Sequence, residues 1–116
     1  MSLSEQKESI MLNPDICVKL TNGIQVLILI FKKIETQHYN GYVRNLTSIV
    51  EELNWGGIDG IKPRKCAELV QQSIEKINKV FSEKILPRGE LYTKFKVAEE
   101  ILDIAITEIK LVYDED

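Results

Sequence analysis

The sequence predicts an all-α fold, a compact four-helix bundle with a short additional N-terminal helix, and three observations predict it. Apolar residues recur at alternating steps of three and four along most of the chain. Glycine and proline fall at the boundaries of those periodic segments, with Gly23 as the exception. A chain of 116 residues, 44% hydrophobic and 28% charged, suffices for one core, so residues 1–116 read as a single helical-bundle domain.

Ser2 and Glu5 have capping-box spacing, which suggests a short first helix over Leu3 to Met11. Asn13-Pro14-Asp15 is a stronger start: asparagine caps, proline fits the first helical position, and an acid suits the positive end of the helix. Cys17, Leu20, Ile24, Leu27, Phe31 and Ile34 then share one helical face. A hairpin over residues 16–31, turning at Thr21-Asn22-Gly23, is the competing reading, because Asn-Gly is a strong turn signal and the following run is β-branched. The helix is preferred, with Gly23 costing it about 1 kcal/mol relative to alanine.

His38-Tyr39-Asn40-Gly41 is expected to break the pattern, after which Tyr42, Leu46, Ile49 and Leu53 restart it as a separate helix ending near Asn54. Trp55-Gly56-Gly57 and Gly60 mark a loop, with Asn54 or Gly56 as a left-handed cap and the indole covering an end of the core. Pro63 opens the next helix, whose stripe is Ala67, Val70, Ile74, Ile77 and Phe81. Leu86-Pro87-Arg88-Gly89 turns the chain into a last helix with Leu91, Phe95, Ala98, Leu102, Ala105, Ile109 and Val112 in steps of four and three, broadened by Ile101, Ile104 and Ile106.

The net charge of -3 gives no long-range attraction to nucleic acid or anionic membrane. The longest uninterrupted apolar run, Val26 to Phe31, is far shorter than the roughly 20 residues of a membrane helix, and Glu5, Lys7 and Glu8 stand where a secretory signal would be basic and then apolar. No membrane partner is expected and the cytoplasm is the expected compartment. Cys17 and Cys66 lack metal-ligand spacing and read as reduced core residues.

Few residues point to chemistry. His38 is the single histidine and has no nucleophile or acid in a catalytic pattern around it. Glu99, Glu100 and Asp103, with Glu5-x-x-Glu8 at the other end, resemble the Glu-x-x-Glu and Glu-x-x-Asp motifs of the all-α nucleotide pyrophosphohydrolases, a resemblance that implies a magnesium-dependent nucleotide hydrolase. In that family the two motifs are close in sequence, whereas here almost the whole chain separates them, and a solvated charged face is the preferred reading. Trp55-Gly56-Gly57 is similar to the Trp-x-Gly bend of a family of small secreted helical hairpins. That family has one long helix on each side of the bend, which the expected break at His38 to Gly41 denies to this chain.

Lys62, Arg64 and Lys65 crowd the first turn of the helix at Pro63, the end where the helix dipole repels cations. From Lys62 to Lys84 there are six cations and three acids, so this segment carries net +3 and suits an anion or nucleic-acid contact. The acids Asp114, Glu115 and Asp116 at the end of an antiparallel neighbour would neutralise it internally.

The expected function is therefore a non-enzymatic protein–protein interaction role, adaptor or structural, with self-association and no cofactor. Leu91, Phe95, Leu102, Ile106 and Ile109 are the expected interface, with the apolar segment Ile24 to Phe31, because the last helix and the helix at Pro14 each carry more large aliphatics than one face can hide. A nucleic-acid-binding or regulatory module acting through Lys62, Arg64 and Lys65 is the alternative, and the metal-dependent hydrolase is third.

Overall fold

The computed structural model describes residues 12–58, 61–83 and 89–113, without the side chains of residues 35–37 and 113. The expected helix over Leu3 to Met11 lies outside the described residues, as do Glu5, Glu8, Pro87 and the acids Asp114 to Asp116. Every described element is an α-helix: α1 Pro14–Asn54, α2 Pro63–Glu83 and α3 Glu90–Tyr113. The fold is an all-α helical bundle.

The N-terminus of α1 forms as its sequence requires. The Asn13 side chain accepts the backbone N–H of Asp15 at 2.8 Å, and the Asn13 carbonyl accepts the first intrahelical bond from Cys17. The segment 16–31 is helical throughout, which disposes of the hairpin. At the other end α1 closes in a Schellman motif: Gly57 N–H bonds the Glu52 carbonyl, Gly56 N–H bonds the Leu53 carbonyl, and Gly56 adopts φ 96°. Only glycine takes that conformation without strain.

Two expectations about α1 require correction. His38 to Gly41 does not end the helix; the helical assignment runs unbroken for 41 residues. Phe31 nevertheless stacks on Tyr42 with ring centroids 5.7 Å apart and contacts Tyr39 at 5.2 Å. Residues eleven apart in a straight helix are separated by about 16.5 Å along the axis, too far for two rings to stack. The axis therefore bends sharply between Phe31 and Tyr42, where the weak helix formers Thr36, Asn40 and Gly41 gather. A local backbone preference for a break is expressed as a bend because both arms can then bury their apolar faces. Tyr39, Leu46, Ile49, Val50 and Leu53 of the second arm join the same core as Leu20, Ile24, Leu27 and Phe31 of the first.

The second correction concerns membranes. Although no uninterrupted apolar run is long, the 21-residue stretch Pro14–Ile34 is long and apolar enough, by length and composition, to cross one. Leu20, Ile24, Leu27, Ile30 and Phe31 of this stretch are fully buried in the folded chain, while its Val18 and Leu29 are exposed.

Cross-contacts fix the helix directions. Lys19 meets Glu108 at 3.7 Å and Gly23 abuts Leu102, so the first arm of α1 runs antiparallel to α3. Lys110 Nζ donates to Gln71 at 3.0 Å, Asn78 Nδ2 donates to Glu99 at 2.8 Å, and Phe81 packs on Tyr92 and Phe95 at 5.4 Å, so α2 is also antiparallel to α3.

Gly23 is explained by this packing. A Cβ built on it would lie 2.5 Å from Leu102 Cγ and 2.6 Å from Cδ2, so the glycine leaves the room that Leu102 of α3 occupies. Trp55, expected to cover an end of the core, is 86% exposed instead. Once Gly56 and Gly57 close the helix through their own backbone, the cap needs no indole.

Candidate interaction surface

The side of α3 that faces the bundle is built from Phe95, Ala98, Leu102, Ala105, Ile106 and Ile109, all buried. The opposite side ought to be polar in a helix with one covered face. Instead Val97, Ile104 and Leu111 are 53%, 52% and 77% exposed. Their seven-residue spacing places them one above another, two turns apart, as a stripe along the outer face. Ile101, half-buried, lies beside the middle of the stripe, and Val112 is exposed at its end.

Charges border this stripe. Lys94 pairs with Glu90 at 3.1 Å, Glu108 with Lys19 at 3.7 Å, and Glu100 is exposed. Such surface pairs contribute little stability, so they leave Lys94 and Glu108 available to new partners.

The expected interface residues lie elsewhere. Phe95, Leu102, Ile106 and Ile109 are buried within the chain's own core, and Leu91 is half-buried against it. The apolar surplus of α3 is real, yet it emerges on the other side of the helix. Val112, assigned from spacing to the core stripe, is likewise exposed. Val97 and Leu111 lie off the stripe that the spacing assigns to the core. Their spacing from Ile104 was the available signal, and it becomes meaningful only once the core face is known.

Lys62, Arg64 and Lys65 are exposed at the start of α2, as expected. The Lys62 carbonyl accepts the Cys66 N–H at 3.0 Å, and Arg64 lies 3.9 Å from Glu68 one turn on. Part of the basic character of this turn is thus answered within α2 itself.

The carboxylates of α3 are divided by their surroundings. Glu99 is half-buried, accepting from Asn78 and from Lys96 at 3.2 Å, whereas Glu100 and Asp103 are exposed. Partial burial, with the nearby Glu99 charge second, raises the Asp103 carboxyl above its ordinary range. No group of three or more metal-binding side chains occurs among the described residues. His38 is exposed and meets Tyr39 edge-on, with centroids 6.4 Å apart.

Both cysteines are free thiols. Cys17 is half-buried and directs its Sγ at the Leu12 carbonyl, 3.7 Å away. Cys66 is completely buried, and that burial, followed by the nearness of Cys17, pushes its thiol up to about 12. A thiol so strongly protonated is a packing group and a poor nucleophile.

Comparison with protein-family models, with curated proteins and with solved structures returns no match to this chain.

Proposed function

We propose that this chain is a non-enzymatic interaction protein, adaptor or structural, that associates with a second copy of itself through the outer face of α3. The observation that carries this reading is the exposed stripe Val97, Ile104 and Leu111 at heptad spacing. Three aliphatic side chains aligned over four turns match the seam by which helices pair, and scattered surface apolar residues have no reason to align. The cytoplasm remains the proposed compartment, where two free thiols persist without pairing.

The test is the mass of the protein in solution by light scattering, for the wild type and for Ile104→Glu. A dimer that becomes a folded monomer in the variant supports the reading. A wild-type monomer across micromolar to millimolar concentrations refutes it. The same experiment, repeated at two salt concentrations with a short duplex oligonucleotide, addresses Lys62, Arg64 and Lys65: a salt-sensitive shift in mass with DNA would transfer the function to the basic turn.

A further inference from the structure

We infer that the two copies pair through α3 in antiparallel orientation, about a two-fold axis passing near Ile101. This inference rests on the self-association proposed above and adds its geometry.

The argument is charge complementarity of the stripe with itself. Lys94 and Glu108 lie seven residues to either side of Ile101, two turns each way, and both border the exposed apolar stripe. They carry opposite charge, and each is held at the surface, Lys94 by the exposed Glu90 and Glu108 by the half-buried Lys19. An antiparallel copy centred near Ile101 brings each Lys94 opposite Glu108 of the other chain, two ion pairs from one symmetry operation. The same register sets Val97 against Ile104 of the second copy, twice over, with the two Ile101 side chains at the centre. A parallel pair instead carries the two Lys94 side chains, and the two Glu108 side chains, on opposite flanks of the seam and gains neither ion pair.

One charge is not matched. Glu100, beside the axis, comes to lie near its own counterpart. Neutralising it therefore tightens the antiparallel pair, a consequence that a parallel pair, with its two Glu100 side chains on opposite flanks, does not share.

The experiment measures the dimer dissociation constant by sedimentation equilibrium for the wild type, Ile104→Glu, Lys94→Glu, Glu108→Lys, the double variant Lys94→Glu/Glu108→Lys, and Glu100→Gln. Circular dichroism verifies that each variant folds. In the antiparallel pair each single reversal sets two like-charge contacts and weakens dimerisation by about tenfold, while the double exchange restores it to within about threefold and Glu100→Gln strengthens it. A parallel pair keeps Lys94 and Glu108 of one copy away from those of the other, so no charge reversal shifts the constant. A wild-type monomer removes both the self-association and this geometry. A dimer abolished by Ile104→Glu but indifferent to the charge reversals, or one that the double exchange fails to restore, leaves the self-association standing and overturns the antiparallel pairing.

Discussion

Replacing Gly23 with alanine sets a local gain against a tertiary cost. In a helix interior the change should gain about 1 kcal/mol, because glycine surrenders more backbone freedom on folding. Here the new methyl would stand 2.5 Å from Leu102 Cγ and 2.6 Å from Cδ2, more than 1 Å inside the usual carbon–carbon contact of about 3.5–4.0 Å. Cγ is the branch point of the leucine, close to its backbone, and Leu102 has no exposed surface, so the side chain cannot swing clear. Overpacking of this kind costs about 1–3 kcal/mol, and the severity of the overlap places it at the upper end. The net expectation is destabilisation by about 1–2 kcal/mol, read as a lower urea midpoint at unchanged slope.

Leu102→Ala supplies the second edge of a double-mutant cycle. By itself it should cost about 2–5 kcal/mol, since it empties a buried site. With the leucine gone, Gly23→Ala should recover its intrinsic gain of about 1 kcal/mol, so the two substitutions couple by about 2–3 kcal/mol. If Gly23→Ala stabilises the wild type, or has the same effect in both backgrounds, then the first arm and α3 do not meet at this glycine and the packing argument fails.

Three further predictions rest on separate features. Gly41, a helical glycine with open space within 4 Å of where an alanine methyl would stand, should behave oppositely to Gly23, with Gly41→Ala raising stability by about 0.5–1 kcal/mol in the same urea titration. The buried Cys66 thiol keeps its proton in the folded state up to about 12 and loses it when unfolded near 9.0, so its contribution is complete below pH 9 and declines as pH rises toward 12, by up to about 4 kcal/mol. The stability difference between wild type and Cys66→Ala should therefore shrink from pH 8 to 11; a constant difference would place the thiol in contact with water. Trp55, 86% exposed, should emit as a solvated indole in the native protein and change little on unfolding, whereas a blue-shifted native spectrum would mean that a partner or the core covers it.

The elements differ in how far they were legible in the sequence. The stripe Ala67, Val70, Ile74, Ile77 and Phe81 is buried residue for residue, and the cap at Asn13 and the stop at Gly56 lie where their chemistry required. Such features depend on interactions within one or two turns, which the local sequence carries. His38 to Gly41 shows where this ends: poor helix formers mark a weak point, but whether the chain breaks or bends there depends on the packing of two arms more than a dozen residues apart. Phe95, Leu102, Ile106 and Ile109, expected at an interface, are buried in the chain's own core for the same reason. A helix with apolar residues on two sides does not declare which side its neighbours will take.

The sequence by itself determined that this protein is helical, the cap that starts α1 and the glycine that stops it, and which residues of α2 form a core, because periodicity, caps and glycine conformations act over a few residues. Only the tertiary structure decided that α1 bends with its helix unbroken, that Gly23 makes room for Leu102 of α3, and that Val97, Ile104 and Leu111 face outward. Each of those outcomes depends on which distant surfaces come together, and burial is a property of the pair of surfaces and of neither segment alone.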